Sequence, residues 1–132
     1  MKVSIIIPTY NRFNKLANLL NSLIPQIREH RLEENVEVLI VDDCSVPVIA
    51  ERIKHLLDRS NCHFLRLFSL DRNRGQSFAR NYGLSQSTKE HKIDIRQYSS
   101  FLAMFLGFIW QLSMKYWNLR DMMRMKNPFA IF

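Results

Sequence analysis

The sequence predicts an α/β fold with a mainly parallel sheet. Short apolar runs rich in β-branched residues alternate with longer segments whose apolar residues recur at helical spacing. The resulting order, β-α-β-α-β, favours right-handed crossovers and a doubly wound arrangement. At 132 residues and 47% hydrophobic content, the chain can bury one modest core, so one domain is the default.

Residues 36 to 45 form the most informative stretch. Five of the first six residues are apolar, and the run stops at Asp42 and Asp43, which are followed by Cys44 and Ser45. This pattern is typical of a buried parallel strand that delivers acids to the carboxyl edge of a sheet, where ligands bind. We therefore expect both aspartates to meet a ligand. The alternative is that Asp43 or Ser45 caps the next helix, and the two roles can coexist.

A first strand is predicted over residues 2 to 7, with Pro8 as its end. The loop that follows combines a hydroxyl, an aromatic ring, an amide and a guanidinium, contributed by Thr9, Tyr10, Asn11 and Arg12. Such a set can stack on a base, hydrogen-bond its edge and face a phosphate. The alternative is an ordinary turn in which Asn11 caps the next helix.

Two helices are predicted to cover this sheet. In the first, the apolar face extends from Leu16 to Ile27, and Pro25 is expected to kink or shorten the helix. The second begins near Pro47, where the missing N–H of proline costs nothing. Its predicted buried face consists of Ile49, Ile53, Leu56 and Leu57. A third strand follows at residues 63 to 68.

A glycine-containing loop and a short helix, ending near residue 87, come after the third strand. Gly75 allows the backbone a wider range of conformations there, and Ser77 can cap the helix. The N–H groups at the helix start suit a diphosphate. Three arginines lie nearby: Arg72, Arg74 and Arg80. The alternative is that they form only a solvated loop.

The formal net charge of +7 suits an anionic partner such as a nucleotide, a nucleic acid or an acidic membrane surface. A basic excess that only keeps the chain soluble is the alternative. No motif for reading nucleic acid is visible, so a nucleic-acid partner is disfavoured. The first strand is not followed by G-x-G-x-x-G, so a dinucleotide cofactor is disfavoured. The sequence contains no G-x-x-x-x-G-K-[ST], which excludes the P-loop class.

Three motifs together resemble the opening of a family 2 glycosyltransferase. They lie in the expected order at residues 3 to 12, 37 to 45 and 73 to 83. The resemblance implies a Rossmann-like GT-A fold, of which residues 1 to 87 would be the nucleotide-sugar-binding half. It also implies transfer of a sugar from a nucleotide donor, often UDP-linked, in the synthesis of cell-surface polysaccharide or glycoconjugate. The partners implied are a nucleotide-sugar and a saccharide or lipid-linked acceptor.

The same resemblance implies roles by position. Pro8, Thr9 and Tyr10 would line the nucleobase pocket. Asp43, with Asp42 beside it, would contact the base or the ribose, and residues 75 to 80 would lie near the diphosphate and sugar. The nucleotide-binding residues expected in this way are Pro8, Thr9, Tyr10, Arg12, Asp42, Asp43, Gly75 and Arg80.

The sequence departs from the family pattern where metal and base are expected. The family commonly holds Mg²⁺ or Mn²⁺ with an Asp-x-Asp motif, and inverting members use a further carboxylate as general base. Here Asp94 is followed by Ile95 and Arg96, and the next acidic residue is Asp121. Metal ligands and catalytic residues are therefore not visible, and the alternative function is a truncated, catalytically inactive nucleotide-binding fragment.

Residues 88 to 132 form an atypical apolar and basic tail. Residues 101 to 110 are wholly apolar, and Lys115, Arg120, Arg124 and Lys126 follow them. The tail is open to three interpretations: out-of-frame or truncated sequence in place of a catalytic half, a membrane-associated helix over residues 98 to 126, or a core helix.

The two cysteines, Cys44 and Cys62, have no C-x-x-C spacing, and no secretory signal precedes them. A reducing, cytoplasmic setting is therefore expected. If the tail binds lipid, the chain would lie at the inner face of the membrane.

Overall fold

The computed structural model describes residues 2 to 95. Within this range strands and helices alternate, as β1 (Val3–Thr9), α1 (Phe13–Glu29), β2 (Val36–Asp42), α2 (Pro47–Ser60), β3 (Leu65–Ser69), α3 (Gln76–Gln86) and β4 (His91–Asp94). The strands form one parallel sheet in the order β3-β2-β1-β4. The predicted α/β fold with a parallel sheet is confirmed.

The two central strands are buried at every position. The chain steps from β1 through β2 to β3 and then returns to place β4 on the other side of β1. Because right-handed crossovers in opposite directions use opposite faces, α1 and α2 cover one face of the sheet and α3 covers the other. The carboxyl ends of β1 and β2 therefore lie beside the point where the strand order reverses, which is where α/β sheets bind ligands.

Pro8 does not end the first strand, because β1 continues to Thr9. Alternate residues of β1 bond to opposite neighbours: the carbonyl of Thr9 accepts from the N–H of Asp43, which follows β2, whereas the carbonyl of Ile6 accepts from Ile95 on the β4 side. The nitrogen of Pro8 therefore faces the β4 side, and β1 can pair with β2 at this position without losing a donor.

Pro25 does not shorten the first helix, which continues to Glu29. The proline is exposed, so its ring lies on the solvent side. The side-chain amide of Gln26 donates to the carbonyl of Ser22 at 2.8 Å, which adds a hydrogen bond within the same turn. The predicted apolar face of α1 is confirmed, since five of its residues are buried: Leu16, Leu19, Leu20, Leu23 and Ile27.

The second helix buries less than predicted. Of its four expected core residues only Ile53 is buried, and Ile49, Leu56 and Leu57 are half-buried. The reason is its position, because α2 contacts α1 and β3, and β3 is an edge strand of the described sheet. Helix α3 lies closer to the sheet. A Cβ on Gly83 would lie 2.6 Å from Cγ2 of Ile6, so any larger residue would force the side chains beneath it to shift.

Strand β4 lies beyond residue 87, where the nucleotide-binding half was expected to end, and it pairs with β1 from His91 to Asp94. Within residues 2 to 95 no helix combines the length and apolarity needed to cross a membrane. The stretch for which membrane association was predicted, residues 98 to 126, lies outside the described residues.

Candidate functional site

The carboxyl ends of β1, β2 and β3 are joined by backbone hydrogen bonds. Thr9 lies opposite Asp42 in the register, and the N–H of Asp43 donates to the Thr9 carbonyl at 2.8 Å. On the other side, the N–H of Leu70 donates to the Asp42 carbonyl at 2.9 Å. The loops that follow these strands therefore start side by side at the same edge of the sheet, around the two aspartates.

Asp43 connects two of these loops. Its side chain is almost fully buried, and its two oxygens each accept a hydrogen bond of 2.8 Å, from the backbone N–H groups of Arg74 and Gly75. Such charge-assisted bonds to a carboxylate are among the stronger ones in proteins. Gly75 has φ 90° and ψ 158°, a region that only glycine adopts readily. The acid at the end of β2 therefore holds the turn that leads into α3.

A cavity of about 260 Å³ opens beside Asp43 at this edge of the sheet. Its lining residues are Pro8, Thr9, Tyr10, Arg12, Asp43, Asn73, Gly75, Gln76 and Ala79. Six of the eight residues expected to bind nucleotide thus surround one cavity. Of the other three, Gln76 and Ala79 belong to residues 75 to 80, which were expected near the diphosphate and sugar. Asn73 was not predicted as a site residue, although it lies in the third motif, and that proximity to Gly75 was the available signal.

Two groups in this cavity are suited to a ligand. The Thr9 residue is 4% exposed, and its hydroxyl oxygen is buried with no hydrogen-bond partner within the described residues. Since a buried hydroxyl usually has a partner, this one is a candidate for bonding to a ligand. The Tyr10 residue is 45% exposed, so its ring is accessible to a planar group.

Asp42 does not line this cavity. It is 2% exposed, and its carboxylate accepts hydrogen bonds from the hydroxyl of Ser45 and, at 3.3 Å, from the backbone N–H of the same residue. The two adjacent aspartates therefore have different surroundings. Asp43 faces the cavity, and Asp42 supports the loop behind it.

None of the three predicted side-chain caps is formed. The N-cap residues are Arg12 for α1, Val46 for α2 and Gly75 for α3, and none has a capping side-chain bond. Asn11 instead bonds across to the next loop: its N–H donates to the Ser45 hydroxyl at 2.8 Å, and its side-chain oxygen accepts from the Val46 N–H at 2.9 Å. These partners lie 34 and 35 residues away in sequence, so a local pattern could not reveal them.

Arg80 lies on α3, outside the lining of the cavity. Its Nε is 3.0 Å from an oxygen of Asp94 on β4, and one of its terminal nitrogens donates to the Ser77 hydroxyl at 3.3 Å. Arg74, nearer the cavity, places its guanidinium 4.7 Å from the centre of the Phe78 ring. The first of these contacts joins α3 to β4.

The described residues do not offer a metal site. From residue 2 to residue 95 no three His, Cys, Asp or Glu side chains converge as metal ligands would. A larger groove of about 720 Å³ lies between α2 and β3 and is lined by residues such as Lys54, Leu57 and Leu67. It is remote from the paired aspartates, so we assign the site to the smaller cavity.

The family described as Glycosyl transferase family 2 matches residues 4–95 of this chain. The minor teichoic acid biosynthesis protein GgaA of Bacillus subtilis is 36% identical over 92 residues, which are 67% of this chain and 19% of GgaA. The poly(ribitol-phosphate) beta-N-acetylglucosaminyltransferase TarS of Staphylococcus aureus is 34% identical over 91 residues, which are 68% of this chain and 15% of TarS.

Solved structures agree with these sequence matches. The crystal structure of S. aureus TarS 1-349 in complex with UDP-GlcNAc superposes with a TM-score of 0.60 at 28% identity, over 84% of this chain and 32% of that one. The mannosyltransferase PcManGT from Pyrobaculum calidifontis, in complex with GDP-Man and Mn2+, gives a TM-score of 0.51 at 26% identity, over 66% of this chain and 24% of that one. The GT-A expectation is thereby confirmed for the described residues.

The chain spans only 12% to 26% of the length of the first three curated relatives. The match covers the three predicted motifs and continues through β4. By its sequence and its fold, this chain belongs to glycosyl transferase family 2.

Proposed function

We propose that this chain binds the nucleotide of a UDP-sugar for transfer of the sugar to a saccharide or lipid-linked acceptor in cell-surface polysaccharide or glycoconjugate synthesis. The observation that supports this proposal best is the cavity in which Thr9, Tyr10 and Asp43 converge. The relatives add support, since TarS has been solved with UDP-GlcNAc and another relative is an undecaprenyl-phosphate 4-deoxy-4-formamido-L-arabinose transferase.

The hydrogen-bonding groups of the cavity favour uracil as the base. Uracil presents a ring N–H between two carbonyls. Cytosine and adenine have an unprotonated nitrogen at the corresponding ring position, beside an amino group, so a carboxylate that faces this ring position would be repelled. Asp43 can accept from the N–H, and the unpartnered hydroxyl of Thr9 can donate to the carbonyl. Both residues are buried, so a base that sets a lone pair against the carboxylate, or that gives the hydroxyl no partner, is disfavoured.

Guanine also has an N–H beside a carbonyl, but it presents a second donor next to the first. The two oxygens of Asp43 already bond side by side to the consecutive N–H groups of Arg74 and Gly75. Guanine would need that same paired arrangement on the carboxylate. Uracil needs a single remaining lone pair, which a carboxylate oxygen with one partner still offers.

The start of α3 is suited to the diphosphate. The first backbone bond of this helix runs from the N–H of Ala79 to the carbonyl of Gly75, so the N–H groups of residues 76 to 78 have no intrahelical acceptor. Free N–H groups and the helix dipole attract phosphate. Arg12 lines the same cavity and adds a positive charge. These groups would stabilise the negative charge that develops on the nucleoside diphosphate when its bond to the sugar breaks.

Mg²⁺ or Mn²⁺ is expected for the family, but residues 2 to 95 do not fit such an ion. Asp94, the acid nearest to the position expected for the Asp-x-Asp motif, lies with one oxygen 3.0 Å from the guanidinium of Arg80. Within this range Asp43 is the one carboxylate that lines the cavity, and we assign it to the base and to the loop that precedes α3. We therefore assign no catalytic step to a metal or to a general base.

The test is calorimetric titration of the full chain with UDP, CDP and GDP. We expect UDP to bind at least about tenfold more tightly than CDP, because a carboxylate that accepts from the ring N–H of uracil would face an unprotonated nitrogen at that position of cytosine. Thr9→Val should weaken UDP binding about 2- to 10-fold, whereas Ser85→Ala, which removes a hydroxyl bonded to the carbonyl of Tyr82, should not change it. Equal affinity for all three nucleotides, or no binding, would refute the proposal.

The second candidate is a nucleotide-binding fragment that transfers nothing. The ion pair of Asp94 with Arg80 favours it, because that acid is engaged with a cation of its own chain. A radiolabelled UDP-sugar assay separates the two functions. Binding of UDP without transfer of label to any saccharide or lipid acceptor would support the fragment, and transfer would exclude it.

A further inference from the structure

We infer that Asn11 is a positioning residue that sets the separation of Tyr10 and Asp43, the two sides of the base pocket. This inference rests on the proposed nucleotide binding. It assigns to Asn11 a role different from contact with the base edge, which the sequence had offered as one alternative. Asn11 follows Tyr10 directly, and it bonds to the loop that follows Asp43.

The geometry of the contact is reciprocal. The backbone N–H of Asn11 donates to the hydroxyl of Ser45 at 2.8 Å, and its side-chain oxygen accepts from the N–H of Val46 at 2.9 Å. We call this pair of hydrogen bonds the Asn11 bridge. Two bonds to consecutive residues fix both distance and orientation, which a single bond would not do.

The backbone of Asn11 is shaped for this contact. Its φ of 51° lies in the left-handed region, which asparagine tolerates better than most residues other than glycine. This conformation turns the chain between β1 and α1 and brings the amide to the second loop. The side chain of Asn11 does not line the cavity, and its oxygen is engaged by Val46.

The far side of the bridge is firmly supported. Ser45 is 7% exposed, and its hydroxyl donates to the carboxylate of Asp42, which is itself 2% exposed. The hydroxyl can therefore accept from Asn11 in a defined direction. Asp42 thus acts on the pocket through Ser45 and Asn11, which gives the buried acid a positioning role without contact with the nucleotide.

The bridge matters because the loop between β1 and α1 is short and its aromatic residue is exposed. Only residues 10 to 12 separate the strand from the helix, and Tyr10 is 45% exposed. Burial therefore does not fix the ring. The bridge holds the residue next to it, while Asp43 is fixed independently by Thr9, Arg74 and Gly75.

Three variants of Asn11 and one matched control test this role in the full chain. Asn11→Gly keeps the backbone conformation and loses the bond to Val46, and Asn11→Ala loses the bond and strains the backbone. Asn11→Asp keeps an acceptor oxygen. The control is Asn61→Ala, because Asn61 is also an asparagine in the left-handed region, with φ 47°, but lies at the end of α2.

We expect Asn11→Gly to weaken UDP and UMP equally, by about 3- to 10-fold, since the base and not the diphosphate loses its fit. Asn11→Ala should bind no better than Asn11→Gly. Asn11→Asp should restore uridine binding to within about twofold of wild type; uridine is the probe because it has no phosphate for the new carboxylate to repel. Asn61→Ala should lower the melting temperature and leave every affinity unchanged. If Asn11 had only a structural role, its variants would behave in the same way, with lower stability and unchanged affinities.

A second measurement needs no ligand. Amide hydrogen exchange at Val46 should be faster in Asn11→Gly than in wild type and unchanged in Asn61→Ala, because only the first variant removes its acceptor. If wild type binds UDP and Asn11→Gly binds it equally well, or if exchange at Val46 does not change, the inference is wrong while the proposed function stands. If wild type binds no uridine nucleotide, the proposed function fails and the pocket role of Asn11 fails with it.

Discussion

The carboxylate of Asp43 accepts a hydrogen bond of 2.8 Å from the backbone N–H of Gly75, and this contact joins the end of β2 to the residue that precedes α3. A second bond of the same length comes from Arg74. The acid and the glycine therefore depend on each other: the acid orders the turn, and the turn requires a conformation that glycine supplies.

Gly75→Ala tests that dependence. The new Cβ would meet no atom within 4 Å, but φ 90° with ψ 158° is strained for any other residue. We expect a loss of about 1–3 kcal/mol in the free energy of unfolding from this strain, together with weaker UDP binding. Urea denaturation and calorimetry provide the two readouts. An alanine variant as stable as wild type would show that the turn is not held as described.

Gly83→Ala is the complementary change, because here space and not conformation is limiting. The Cβ would lie 2.6 Å from Cγ2 of Ile6 and 3.1 Å from Cγ2 of Val41, in the contact between α3 and the sheet. Both neighbours are completely buried, so we expect a loss of about 1–3 kcal/mol in stability from overpacking. UDP affinity should remain within about twofold of wild type, since Gly83 does not line the cavity. A large loss of affinity at unchanged stability would contradict this separation.

The pH dependence of stability should depend on Glu37. Burial alone would raise the pKa of this carboxyl, but hydrogen bonds from Ser4 and Thr88 and the charge of Arg66 together hold the pKa below its ordinary value. A lowered folded-state pKa means that the stabilisation is present above the unfolded value, about 4.3, and is lost as the pH falls through the folded value.

We therefore expect Glu37→Gln to cost about 1–3 kcal/mol at pH 7 and progressively less as the pH falls below about 4. Urea denaturation at a series of pH values measures this difference. Glu34→Gln is the control, because the side chain of Glu34 is 91% exposed and, between residues 2 and 95, its one ion pair is with the exposed His63. If both variants lose stability in parallel across the pH range, the assignment to Glu37 is wrong.

The contact of Arg80 with Asp94 should stabilise the attachment of β4. Both side chains are largely buried, with 24% and 15% exposure, so removing one partner leaves the other charge poorly compensated. We expect Arg80→Met and Asp94→Asn each to cost about 1–3 kcal/mol, and the double variant to cost less than the sum. Urea denaturation of the four proteins gives the coupling, and strictly additive losses would contradict it.

The same arginine variant tests the prediction that Arg80 binds nucleotide. The side chain lies outside the cavity lining, and its guanidinium is next to Asp94. A contact with the diphosphate would make Arg80→Met weaken UDP binding more than UMP binding. An unchanged ratio of the two affinities would remove Arg80 from the nucleotide-binding residues and leave the ion pair as its role.

Much of the fold follows from local patterns in the sequence. The β-branched runs predicted β1 and β2, and the spacing of leucines predicted the buried face of α1. A strand buried on both faces has a continuous apolar run, and a helix buried on one face has apolar residues at helical spacing. Pro8 was wrongly predicted to end β1, and of the two expectations for Pro25, shortening of α1 is not observed, because the helix continues to Glu29. In β1 the nitrogen of Pro8 faces away from β2, so no hydrogen bond to that strand is lost. In α1 the carbonyl that Pro25 leaves without a donor belongs to Asn21, which is exposed and can bond to water.

By itself, the sequence determined that a parallel strand would bring Asp42 and Asp43 to the carboxyl edge of the sheet, since composition and alternation are properties of the local chain. Only the tertiary structure decided which of the two aspartates faces the cavity and which supports the neighbouring loop. Asp43 turns to the cavity and to a loop 31 residues away, and Asp42 turns to Ser45. Adjacent residues at a strand end point in different directions, and the partners they meet come from loops that only folding brings together.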